Sequence, residues 1–260
     1  MPVFGFVAEA VPGSIGEIPP KSSWYRKDYV FANGECVEGP YRYAVQGEEI
    51  EVAAWARAEI GVVNAGPRGI GYYVCPRCGF AADPGSRNGR LGHDHPRTGR
   101  QCVGGGSLQP RALGHVYQTD IATIALPSAF SQTDRGADDL RGALYAFVES
   151  ASELLEINRD DINGVLSWSG SGPSLVLFDA VPGGAGISRS IVGRFTDVLD
   201  AAIERVSHCS CDEDTSCYAC LRSYSNQRFH DSLRRDTARA VLEKMRATVS
   251  AAKEVPGVSG

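Results

Sequence analysis

Cys209-Ser-Cys211, five further residues, then Cys217-Tyr-Ala-Cys220 place four thiols within twelve positions of this chain. Ligands so close together leave the backbone little freedom. The loop must curl until the sulfurs face a common point, and a tetrahedral zinc ion holding thiolates at about 2.3 Å suits that arrangement. Four thiolates also close the coordination sphere, so such a site is structural rather than catalytic. An iron–sulfur cluster is an alternative for four cysteines. A redox pair at Cys217 and Cys220 is a third, weakened by the two further thiols beside it.

A second group begins at Cys75-Pro-Arg-Cys78-Gly79, a zinc-knuckle half in which the glycine lets the backbone turn its amides toward the sulfurs. Its partners lie in Gly92-His93-Asp94-His95-Pro96 and at Cys102. The expected set is Cys75, Cys78, Cys102 and one of His93 or His95, with His95 favoured. The alternative is a loop that binds no metal. Seven of the eight cysteines thus fall in two clusters with metal-ligand spacing, and Cys36 stands alone. That pattern fits a reducing cytoplasm and zinc better than a secreted disulfide scaffold.

The formal net charge of −5 speaks against a nucleic-acid partner, but the charges are unevenly placed. From Arg77 to Arg111 there are six arginines against Asp83 and Asp94. From Arg222 to Arg246 there are seven Lys or Arg against Asp231, Asp236 and Glu243. Each cysteine-bearing region is locally basic by about four charges, either as two solvated basic surfaces or as a nucleic-acid footprint. No apolar run nears the roughly 20 residues that cross a bilayer, and the N-terminus lacks the basic start of a signal peptide. Cytoplasmic placement and no membrane partner are expected.

Residues 1–65 are rich in Gly, Pro and aromatics and read as short strands and irregular chain. Strands are expected at 71–74, 115–126, 165–168 and 175–178. Leu140, Leu144, Phe147, Val148, Leu154 and Leu155 recur near helical spacing, which predicts a helix over about 134–156. Further helices are expected over 187–206 and 232–249. The fold class is therefore α+β (mixed α/β), with a β-rich N-terminal half and two zinc knuckles, the second between C-terminal helices. The expected divisions are a β-rich segment 1–65, strands with the first knuckle 66–130, a helix–strand–strand–helix–zinc loop–helix core 131–250, and a disordered tail 251–260.

Leu177-Phe178-Asp179 leads into Pro182-Gly183-Gly184-Ala185-Gly186 and then a helix. Backbone amides at such a turn can hold a phosphate, or the glycines can simply let strand and helix pack closely. No G-x-x-x-x-G-K occurs, so no ATP-binding loop and no nucleotide cofactor are expected. Asp120 and Asp179 could form a carboxylate pair for a metal-dependent nuclease, and His115 could approach Asp120. Capping and buried hydrogen bonding explain such residues more simply, so an enzyme acting alone is not expected.

Residues 72–245 resemble the MrfA-type zinc-binding domain (MZB). The pieces that carry the resemblance are Leu113-Gly114-His115 with Thr119-Asp120, Phe178-Asp179 with the glycine turn, and the cysteine loop running into Leu221-Arg222-Ser223-Tyr224-Ser225-Asn226-Gln227. His230, Leu233 and Arg235 complete them. The family occurs at the C-terminus of a class of bacterial superfamily 2 helicases and in the DrmB component of the DISARM anti-phage system. The resemblance implies that Cys209, Cys211, Cys217 and Cys220 hold one structural zinc, and that the chain assists a DNA-translocating ATPase in phage defence or DNA repair. Helicases of this class carry two motor domains that are missing here, so the motor is expected in cis elsewhere or in trans. Candidate DNA contacts are Arg222, Arg228, Arg234, Arg235 and Arg239, with Tyr224 or Phe229 for base stacking and Arg87, Arg90, Arg97 and Arg100 from the first knuckle. A protein–protein adaptor that does not touch DNA is the competing reading.

Overall fold

The computed structural model describes residues 5–7, 27–32, 34–64, 71–82, 93–102, 108–132, 135–169 and 172–253. The chain divides into two compact units, residues 1–32 with 59–117, and residues 33–58 with 118–260. Two long strands, β4 (Glu48–Asn64) and β7 (Gln109–Ala125), contribute to both.

In the larger unit, β3 (Glu35–Val45) pairs antiparallel with the first part of β4, Val45 facing Glu48. The connection is Gln46-Gly47, both at positive φ (51° and 87°), the backbone that a tight hairpin turn requires. The second part of β7 pairs with β9 (Gly172–Asp179), and β9 pairs with β8 (Ile162–Ser169), both antiparallel. Four helices accompany these strands: α1 (Gly136–Leu154), α2 (Ile187–Gly193), α3 (Phe195–Ser207) and α4 (Arg235–Lys253).

The core follows from residue spacing. Leu140, Leu144, Phe147, Val148 and Ala151 fall on one stripe of α1, and Val198, Leu199, Ala202 and Val206 on one stripe of α3. Ala238, Leu242, Met245 and Val249 do the same on α4, and all pack with Leu175, Leu177 and Ile162 of the sheet. Asp138 and Asp139 sit in the first turn of α1, where the helix dipole favours negative charge. The second cysteine loop belongs to this core: Cys220 and Leu221 are fully buried in it beside Leu233.

In the smaller unit, β1 (Gly5–Val7) pairs antiparallel with Ala112–Gly114 of β7, and β2 (Lys27–Ala32) with Glu59–Asn64 of β4. β5 (Tyr72–Val74) lies between β6 (Ala81–Ala82) and Gln109–Arg111. β5 thereby delivers Cys75 to the first cluster.

The mixed α+β class and the β-rich first half stand. The strand lengths differ from expectation. Residues 48–64 form one strand rather than short pieces, because Ile50, Val52, Ala54, Ala58, Ile60 and Val62 lie buried on one face at a period of two, and most of the residues between them are less buried. The helix expected over 187–206 is two helices. The break follows Gly193, with Arg194 at φ −115° and ψ 27°, outside helical geometry. Gly193 is a poor helix former, and a strong apolar stripe on either side masked the break in sequence. α4 starts at Arg235, and the tail beyond Lys253 lies outside the described residues. Among the described residues no helix is long and apolar enough to cross a membrane.

Candidate metal centres and their surroundings

The second cluster is built by the turn that ends α3. Cys209 and Cys211 leave the helix, and a tight turn returns Cys217 and Cys220, with Cys220 N donating to Cys217 O at 3.2 Å. The sulfur separations are 3.6 Å for 209–211, 3.4 Å for 209–217, 3.7 Å for 211–220 and 3.8 Å for 217–220. A tetrahedron of thiolates about 2.3 Å from one centre has edges of about 3.8 Å, so the set fits a single zinc ion. Disulfide bonds, at about 2.05 Å, are excluded by the same distances. An iron–sulfur cluster interposes several atoms between its thiolates and spreads them further apart. Burial opposes ionisation of Cys209, but the Cys211 amide and the neighbouring thiols outweigh it and hold the group at about 7. Burial pushes the Cys220 thiol far up. Sulfurs this close cannot all ionise together unless a cation compensates them.

Three arginines brace the loop. Arg235, 6% exposed, donates to Val206 O at 2.9 Å, Ser207 O at 3.3 Å and Cys211 O at 2.7 Å, satisfying carbonyls at the end of α3 and inside the loop. Arg222 donates to Ser216 Oγ at 3.0 Å and His230 O at 3.3 Å. Arg205 donates to Cys220 O at 3.2 Å. Arg222 and Arg235, expected to face DNA, are therefore directed inward. A guanidinium surrounded by carbonyl acceptors at a helix end is worth more there than in water. Of the other candidates, Arg234 pairs with Asp236 at 2.7 Å, and Arg239 lies 3.4 Å from Glu213 and 3.8 Å from Glu243. Arg228 lies over the Phe229 ring at 4.5 Å, and Tyr224 is 86% exposed. Phe229, offered in sequence for stacking, packs against the core, and the Arg141 guanidinium also lies 4.0 Å from its ring.

The first cluster joins two turns. Gly79 N donates to Cys75 O at 2.9 Å and Cys75 N to Phe80 O at 2.8 Å, with Gly79 at φ 75°. The second turn is closed by His95 N to Arg100 O and Cys102 N to His93 O. Cys75, Cys78, His93 and Cys102 bring their ligand atoms within 4.8 Å of one another. His93 Nε2 is 3.2 Å from Cys78 Sγ, and Phe80 stacks on the His93 ring at 4.6 Å. His95, favoured from the sequence, is not in the cluster. Its Nδ1 accepts from Arg97 N at 3.1 Å, shaping the turn instead. Strand alternation alone would give both histidines the same face, and the turn separates them: His95 opens it, its carbonyl accepting from Thr98 N and Gly99 N, while His93 is buried and His95 partly exposed. The Cys78 amide chiefly draws Cys75 down to about 6, and burial pushes Cys102 up to about 11. Arg87 and Arg90 lie outside the described residues.

The glycine turn is occupied from within. Asp179, fully buried, accepts from Ala185 N, Ile187 N, Ser188 N and Ser188 Oγ at 2.6–3.1 Å. Asp120 accepts from Gly186 N and Arg57 N, both at 3.2 Å. Gly183 N and Gly184 N go to Gln118 O and Val181 O. All six amides from 183 to 188 are thus taken, which leaves none for a phosphate. The two carboxylates act as internal anions for the start of α2, the capping and buried hydrogen bonding that the sequence offered as the simpler account beside the phosphate site and the nuclease pair. Gly184, at φ 78°, has to be glycine because a Cβ there would strike the Asp120 carboxylate. The His115 side chain lies outside the described residues.

Comparison with known proteins places this geometry. The family model of the MrfA Zn-binding domain matches residues 143–221, a span that holds the whole second cluster and leaves out the first. The Druantia protein DruE of Escherichia coli (strain UMEA 4076-1) is 28% identical over 197 residues, covering 66% of this chain and 10% of DruE. The uncharacterized ATP-dependent helicase YprA of Bacillus subtilis (strain 168) is 35% identical over 49 residues, 19% of this chain and 6% of YprA. The chain therefore spans a tenth or less of the length of these relatives. A crystal structure of the DUF1998 helicase MrfA bound to DNA aligns with a TM-score of 0.49 at 16% identity, covering 85% of this chain and 26% of that one. The MZB resemblance read from the motifs is the family that the comparison returns, and its cofactor is zinc.

Proposed function

We propose that this chain, with its MrfA Zn-binding domain, is an accessory module that holds a DNA helicase or translocase productively on DNA. The observation that carries the reading is the cysteine tetrahedron at 209–220, built into the hydrophobic core of the region that matches the family. Residues 131–250 form the working core in this reading, 66–130 carry the first knuckle, and 1–65 and 251–260 are accessory. The motor acts in cis elsewhere in a longer polypeptide or in trans. The ATP-dependent helicase named among the relatives supports that partnership. The DNA-facing residues in this reading are Tyr224 and Arg228, with Arg234 and Arg239 exchanging their carboxylate partners for phosphate, on a loop braced by Arg222 and Arg235. The setting is the bacterial cytoplasm, in DISARM-like phage defence or DNA repair, as the family resemblance implies.

Fluorescence anisotropy of the zinc-loaded protein with labelled DNA over a salt series tests the contact. Binding that weakens as salt rises is expected, because phosphate contacts release counterions. Absence of binding at low salt rejects it. The adaptor reading is then favoured by the ion pairs that already neutralise Arg234 and Arg239. Its signature is co-purification with the motor by a protein that has no DNA affinity.

A further inference from the structure

The 3-10 segment Tyr224–Phe229, which follows the second cluster, is held from the inside while its outer side chains face water. Asn226 is buried, donates Nδ2 to Leu221 O at 2.8 Å, and accepts from Ser223 N at 2.9 Å. His230 Nε2 lies 2.9 Å from Asn226 Oδ1 and 3.1 Å from Ser223 O, so that nitrogen carries the proton. Phe229 anchors the far end beneath Arg228. On this frame the Tyr224 ring is 86% exposed, with Ser225, Gln227 and Arg228 exposed beside it. Tyr218, between the ligands Cys217 and Cys220, is 65% exposed, and its ring meets that of His230 edge-on at 5.5 Å.

Two largely solvent-facing aromatic rings add little to stability, since most of their apolar area stays in water. Free positive charge on the same loop is scarce. Arg222 and Arg235 are bound to internal oxygens, and Arg234 and Arg239 to carboxylates, which leaves Arg228 without an anionic partner among the described residues. A duplex offers mainly phosphate and hides its base faces in the stack. An unpaired strand offers base faces that stack on aromatic side chains. We infer that this loop is a stacking platform for unpaired bases of single-stranded nucleic acid, with Tyr224 and Tyr218 receiving bases and Arg228 meeting the backbone. The inference rests on the reading that the module contacts nucleic acid, and names which form it takes.

The test compares three labelled probes against the full, zinc-loaded chain: an oligothymidylate, the same strand with abasic sites, and a hairpin duplex. The oligothymidylate is expected to bind roughly tenfold or more tighter than the abasic strand, as loss of one or two stacked bases implies. Tyr218→Ala with Tyr224→Ala should abolish that difference with little change in the salt slope, and Tyr224→Phe should retain it. Both rings are exposed, so an unchanged zinc content and melting curve certify the variants. Equal affinity for the base-bearing and abasic strands, or tighter binding to the duplex, overturns the platform while nucleic-acid contact survives. No binding to any probe overturns the contact itself and the platform with it.

Discussion

The two metal centres use similar ligands but stand in different relations to the protein around them. The Cys209–Cys220 loop is embedded: Cys220 and Leu221 are core residues, Arg205 and Arg235 donate to its Cys220 and Cys211 carbonyls, and Arg222 links its Ser216 hydroxyl to the His230 carbonyl. The Cys75–Cys102 centre is joined mainly by local turns, Cys75 to Gly79 and His93 to Cys102, with Phe80 stacked on His93 as its own cover. A metal that organises a core is coupled to the folding of that core. A metal that fastens two turns is coupled chiefly to those turns.

The largest expected effect breaks the comparison at its strong end. Cys217→Ser, or removal of zinc with a strong chelator, should abolish cooperative thermal unfolding of the larger unit, followed by circular dichroism beside a zinc assay. A normal melting curve after verified metal loss would show that the core does not depend on the ion. Next comes Arg235→Ala, which leaves one buried and two half-buried carbonyls without their donor and should cost about 3–5 kcal/mol. Asp179→Ala removes the acceptor of three amides and one hydroxyl at the start of α2, and about 2–4 kcal/mol is expected from denaturant titration. Asp179→Asn should recover part of that. Cleavage of DNA that needs added magnesium and vanishes in Asp179→Ala would reinstate the nuclease assignment.

At the weaker centre, His93→Ala should lower bound zinc from two ions per chain to one, and His95→Ala should leave both. Elemental analysis after gel filtration distinguishes them, and the reverse result would return the ligand role to His95. The smallest effect is Arg228→Ala, an exposed position whose change should alter stability by no more than about 0.5 kcal/mol. Set beside Arg235→Ala, it separates an arginine that supports the loop from one that the loop displays.

The residues alone pointed to the four-cysteine cluster and to the helical core. Ligand spacing is a local property, and Cys-x-Cys with Cys-x-x-Cys allows few geometries. The 3.6-residue stripe of α1 was equally plain, and the helix ends close to where it was expected. The alternation from Ile50 to Val62 was present in the sequence as well, though alanines and glutamates made it faint.

Matters that depend on what faces a side chain from elsewhere in the chain were settled by the fold. His93 and His95 are two positions apart, and the hairpin's hydrogen bonds turn one toward the cysteines. Arg222, Arg228 and Arg235 look alike in sequence. Two meet carbonyl oxygens at distances of 2.7–3.3 Å, and the third lies on an aromatic ring at the surface. Asp120 and Asp179 resembled a metal pair until the fold presented them with backbone amides. A charged group's role is set by its partners, and those partners are fixed by folding, often from residues tens of positions away.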